Sequence, residues 1–197
     1  PGDGVVTLWF TARGAGLAAL LLLSSSTALG ALMTDRGNVV DRVVRHYVHR
    51  VTASLGLAVL AIHITTILAD PFAHVGWRGA LIPFTGGYRP TWVGLGTIAV
   101  YTFLLVAAVG FARGRFAATA KGAALWRRLH CLAYAGWAMA MWHGFLAGTD
   151  SDVTWVRGLY VVCAAGVIGA VAVRLMHVKR PGPVRHAAPA QPLVGAR

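Results

Sequence analysis

Glutamate is missing from this chain: its six acidic residues are all aspartates, set against 18 Lys and Arg, for a formal net charge of +12. Such an excess could suit nucleic acid if it covered one soluble face. Here the basic residues sit in short links between apolar runs, which excludes that reading. Cysteine is almost absent. Cys131 and Cys163 lie inside apolar segments, with no C-x-x-C-H for covalent haem attachment and no zinc spacing. Each reads as a small packing residue. Charged residues make up only 12% of the chain while 57% is hydrophobic, which excludes an ordinary soluble domain. What remains is an integral membrane protein.

Crossing a hydrocarbon core of about 30 Å takes about 20 helical residues. Five runs qualify, at residues 12–34, 47–69, 92–112, 125–147 and 154–176. They lack the alternation of barrel strands, and only helices satisfy their own backbone in lipid, so the sequence predicts an all-α bundle of five transmembrane helices over residues 1–178. The first apolar run, 14–34, is too long for a signal-peptide core and has no small-residue cleavage site. The links after the first and third runs, with the tail, hold 14 of the 18 basic residues, leaving Arg13, Arg78, Arg89 and Arg157 on the other side. The positive-inside rule then places the N-terminus outside and the C-terminus in the cytoplasm, so the second and fourth helices run parallel. The link 70–91, with Phe72, Trp77, Leu81, Ile82 and Phe84 before Thr85-Gly86-Gly87, suits a segment lying on the outer interface as a lid. The Pro-rich tail, 179–197, is expected to be disordered.

Ionisable side chains are rare at membrane depth and mark function. His49 and His63 stand 14 residues apart in one run, and His130 and His143 stand 13 apart in another. Two such pairs on two helices suit metal ligation, specifically two stacked haem b groups, each held by one histidine from each helix. In parallel helices first pairs with first, giving His49 with His130 near the cytoplasmic side and His63 with His143 near the outer side. At about 100° per residue, a 14-residue step returns to within about 40° of its starting face, while the 17 residues from His46 to His63 leave about 100°. His49 is therefore the better ligand. A 13-residue step lands about 140° off, which calls for a local tightening or kink in the fourth helix or for rotated macrocycles. Gly56 and Gly136 lie near the midpoints of the two spacings and would admit a flat ring or another helix. Arg50 and Arg127 flank the inner pair and Arg78 and Arg89 the outer, as partners for anionic propionates. His46, His177 and His186 read as interfacial and His74 as a solvated link residue. Trp77, Trp92, Trp126 and Trp142 read as belt or packing residues.

The paired histidines, with Trp126-Arg127-Arg128-Leu129-His130 opening the second set and Pro83-Phe84 through Tyr88-Arg89-Pro90 in the link, resemble the ferric-reductase-like transmembrane domain over about residues 10–178. That family includes ferric reductases, NADPH oxidases and the haem subunit of a bacterial methionine sulfoxide reductase system. The small unfused actinobacterial type looks most similar, which implies a bacterial plasma membrane. The resemblance implies a diheme b-type cytochrome moving electrons across the membrane, an oxidoreductase if it turns over a substrate itself. Family oxidases carry a cytoplasmic flavin and NADPH domain after the last helix, and an extra leading helix. This chain shows neither, so it is expected to need a separate donor, either a flavoprotein or a quinol, with quinone or flavin supplied through that partner. A non-catalytic subunit anchoring a larger respiratory complex is the alternative. A transporter is disfavoured, because the runs offer few polar side chains besides histidines and hydroxyls.

Overall fold

Capping chemistry sets where the helices begin. Asn38 accepts a 2.8 Å hydrogen bond from the Asp41 amide, so α2 (Val39–Ala69) starts eight residues before its apolar run and includes Arg42, Arg45 and His46. Pro90 opens α4 (Pro90–Phe111), where its fixed φ suits a first turn. Thr119 caps α6 (Ala120–His130) through the Gly122 amide at 3.0 Å. The computed structural model describes residues 3–33 and 38–178; the tail 179–197 lies outside the described residues. The remaining elements are α1 (Asp3–Leu32), α3 (Gly76–Leu81), α5 (Arg113–Phe116), α7 (Leu132–Ala147) and α8 (Thr154–Val178). All regular structure among the described residues is helical.

Four helices are long and apolar enough to cross a membrane: α1 from Val6, α2, α4, and α8 as far as Met176. The expected run 125–147 is not one helix but two, α6 and α7, broken at Cys131. Alone, the 16 residues of α7 rise about 24 Å, short of the hydrocarbon core. At the break the Tyr134 amide bonds the Cys131 carbonyl at 3.1 Å, a three-residue step in an otherwise four-residue ladder. The 13-residue spacing calls for such a local irregularity.

The bundle is built around α1. Small side chains let its neighbours approach closely, as helices in lipid require. Val156, Tyr160, Cys163, Val167 and Ala170 form one buried stripe of α8, where Val156, Tyr160 and Cys163 cluster with Leu20 of α1. A second cluster joins Leu23 of α1 to Ala99 and Phe103 of α4, with Trp137 of α7 against it. The Trp137 indole donates to the buried Ser24 hydroxyl at 3.0 Å, tying α7 to α1. Backbone packing thus groups α2 with α1 and α7 with α4, while α2 makes no extensive packing with α4, α6 or α7. Side chains meet across that gap.

The link 70–89 is fastened rather than loose. Thr97 of α4 donates to the Gly79 carbonyl at 3.2 Å, Tyr101 donates to the Leu81 carbonyl, and Thr85 closes back on Arg78 and Ile82. His74, Phe84 and Arg89 adopt positive φ, with Phe84 tucked against Gly94 where no Cβ would fit. At the start of the link Asp70 ends α2 and accepts from the Phe72 amide at 2.9 Å.

Candidate functional site

Across the gap the histidines face one another, first with first. The ring centres of His49 and His130 are 6.2 Å apart and those of His63 and His143 are 6.5 Å apart, with the planes 70° and 72° from parallel. His63 and His143 lie at the end of the bundle that carries the link, the link end; His49 and His130 lie at the far end. Two imidazoles sharing one metal ion, with metal–nitrogen bonds of about 2.0 Å and about 1.2 Å from nitrogen to ring centre, stand about 6.4 Å apart. Both observed separations are close to that value. Among the described residues no cluster of three or more His, Cys, Asp or Glu could hold a bare ion. A pair of imidazoles suits instead a group that brings its own equatorial ligands and needs only axial ones. On that test the residues fit haem.

Three of the four rings are hydrogen-bonded from behind by the helix their own helix packs against. Nδ1 of His63 lies 2.7 Å from the Ala12 carbonyl, Nδ1 of His49 lies 3.0 Å from that of Ser26, and Nδ1 of His143 lies 2.9 Å from that of Trp92. A carbonyl only accepts, so these three Nδ1 atoms carry the proton, leaving Nε2 of each neutral ring with a free lone pair. Four residues after each carbonyl stands a glycine: Gly16, Gly30 and Gly96. A Cβ there would meet the imidazole at 3.0, 3.3 and 2.6 Å respectively. The missing side chains are what let each ring lie against the helix and reach its carbonyl. His130 has the same arrangement in looser form, over Gly110 at 3.5 Å and near the Val106 carbonyl, but its buried Nδ1 makes no hydrogen bond of normal geometry. Carbonyls placed behind the ring in this way fix tautomer and ring angle in metal-binding histidines.

The histidine reading thus missed Gly16, Gly30, Gly96 and Gly110. A signal was present, since α1 has Gly16 and Gly30, and α4 has Gly96 and Gly110, 14 residues apart, the interval that separates His49 from His63. Gly56 and Gly136, the glycines that the spacing singles out, are buried against neighbouring helices. A Cβ on Gly56 would strike Leu23 at 2.9 Å, and one on Gly136 would strike Thr102 at 3.1 Å. They serve helix approach.

A cavity of about 390 Å³ surrounds the link-end pair, running from Leu23, Phe103 and Trp137 to Asp70, Tyr88 and Asp150 under the link. That is within the range of pockets that enclose a small ligand or cofactor, roughly 300–1,000 Å³. Neither Arg78 nor Arg89 lines it. Arg78 lies over Trp77, at 5.9 Å from the ring centre. Arg89 donates to the Leu146 carbonyl beside Tyr88, whose hydroxyl bonds the Ala147 carbonyl at 3.0 Å, so both cap the C-terminal end of α7. The arginine that does line the cavity is Arg13 of α1, paired with Asp150 and stacked on Trp9 at 3.8 Å. Arg50 and Arg127 are exposed at the far end. There Trp126 stacks on His130 at 5.1 Å and 14°, and Arg113 lies over its ring at 5.3 Å. His46 and His74 are exposed, and Cys131 is exposed at the break. No family model, curated protein or solved structure matches the chain.

Proposed function

We propose that the chain is a diheme b-type cytochrome of the ferric-reductase-like kind, passing electrons one at a time between the faces of a bacterial plasma membrane. The observation that carries this reading is the opposition of His49 to His130 and of His63 to His143 at separations suited to a shared metal. In this reading α6 and α7 together form the fourth of five spans, the link end faces outward, and the basic far end faces the cytoplasm.

Haem b in each pair would supply an iron that cycles between ferric and ferrous states. His49 and His130 would hold one such group and His63 and His143 the other; carbonyls fix the tautomer of His49, His63 and His143 so that Nε2 is the free nitrogen, and ligation by two histidines would favour electron transfer over binding of oxygen. Between the pairs Leu23, Phe103 and Trp137 keep water out of the centre of the bundle. Arg13, paired with Asp150, is the cationic side chain in the cavity lining, and an anionic edge of the ligand would compete with Asp150 for it. Electrons come from a separate flavoprotein or quinol and leave to an acceptor at the other face.

Purified protein is expected to give about two haem b per chain in a pyridine haemochromogen assay; a preparation folded but free of haem sinks the reading. His63→Ala and His143→Ala are each expected to remove the same haem and to spare the other. Loss of different haems by the two variants overturns the pairing.

A further inference from the structure

Three of the four histidines are aimed by a carbonyl bond, and the fourth is not. His130 stands farthest from its glycine, and its buried Nδ1, although near the Val106 carbonyl, makes no hydrogen bond of normal geometry. Buried polar atoms without a hydrogen bond are uncommon and call for an explanation. What His130 has in place of the bond is a face. Trp126, one helical turn earlier on α6, lies almost parallel to the imidazole, 14° between planes and 5.1 Å between centres. The indole is itself fixed, because its Nε1–H donates to the Val109 carbonyl of α4 at 3.1 Å. Arg113 lies over the Trp126 ring, 5.3 Å from a ring centre, adding a cation to the stack. No other histidine of the four has a tryptophan stacked on it among the described contacts.

Resting on the cytochrome reading above, we propose that Trp126 is the positioning residue of the far-end site: it sets the ring angle of His130 by stacking, the task that Ser26, Ala12 and Trp92 perform by hydrogen bonding for the other three. The proposal makes the two sites unequal. At the link end both ligands are aimed by backbone carbonyls, which substituting the side chains of Ala12 or Trp92 does not delete. At the far end one ligand depends on a side chain, Trp126, that a single substitution deletes.

Two variants of the full-length protein in detergent test this. Trp126→Met removes the flat face while keeping much of the bulk, and Trp126→Phe keeps a face but loses the bond to Val109. Low-spin ferric signals in electron paramagnetic resonance, and an optical redox titration, are read for each haem. Trp126→Met is expected to lose one haem, or to shift its signal and midpoint, and that haem is the one His49→Ala removes; the link-end haem keeps its wild-type signal and midpoint. Trp126→Phe is expected to lie close to wild type. The proposal is overturned if Trp126→Met leaves both haems unchanged, if it alters both alike, or if Trp126→Phe is as damaged as the Met variant. Should the Met variant not fold, Trp126→Leu takes its place with the same outcomes. Haem-free wild-type protein overturns the cytochrome reading itself, whereas two haems indifferent to Trp126 overturn this proposal alone.

Discussion

At the scale of single residues, the site depends on glycines as much as on histidines. A methyl at Gly96 would stand 2.6 Å from Nδ1 of His143, so that ring must move away from the Trp92 carbonyl. At Gly110 the nearest imidazole atom would be 3.5 Å away, an ordinary contact. Gly96→Ala is therefore expected to lower haem content well below wild type, through the link-end site, while Gly110→Ala retains it. The haemochromogen assay on both purified variants checks this, and equal haem in the two would remove the glycines from the site. The histidines were legible in sequence because few ionisable groups sit in apolar runs. The glycines were legible only in part, because the 14-residue interval also separates Gly122 from Gly136 and Gly144 from Gly158, and only contact shows which ones back a ring. Likewise Arg78 and Arg89 stand out for opposing the charge bias, yet Arg13, equally out of place by that rule, is the one whose helix turns it into the cavity.

Between elements, a few hydrogen bonds hold parts that lipid does not push together. Trp137 to Ser24 joins α7 to α1 in the buried centre, and Tyr88 to Ala147 joins the link to the end of α7. Ser24→Ala leaves a buried indole N–H unpaired and is expected to cost about 1–3 kcal/mol. Tyr88→Phe frees a carbonyl nearer the rim and is expected to cost about 1 kcal/mol, lowering the unfolding midpoint by roughly 2–4 °C for a chain of this size. Thermal unfolding in detergent orders the two; a larger loss for Tyr88→Phe would contradict the view that the centre is the costlier place to strand a polar group. Helix existence was readable from apolar length. The early start of α2 was not, since its first turns follow a polar cap and not hydrophobicity. The 13-residue spacing of His130 and His143 called for a kink in the fourth helix or for rotated macrocycles, but the place of the break at Cys131 was not readable, since no proline or glycine announces it.

For the whole molecule, the charge asymmetry of the links predicts one orientation, with the link end outside. The Asp152 side chain is 96% exposed in the link between α7 and α8, and Ala118 is exposed in the link between α5 and α6. In a Cys131→Ser background, Asp152→Cys is expected to react with a membrane-impermeant maleimide added to intact cells, and Ala118→Cys only after permeabilisation. The opposite pattern would invert the topology. Labelling of both from outside would mean that α6 and α7 do not complete a crossing.

Composition and periodic spacing by themselves determined that this chain lives in a membrane, that it is helical, and that His49, His63, His130 and His143 stand apart from its other polar residues. Those properties are local or one-dimensional: hydropathy sums along a segment, and helical angle follows from counting. Which rings meet, which carbonyls aim His49, His63 and His143, and which arginine reaches the cavity were decided by the pairing of α1 with α2 and of α4 with α7. Such contacts join residues as far apart as Ala12 and His63, or Trp92 and His143. Their geometry depends on a few tenths of an ångström between helices, and residue counting carries no information at that resolution.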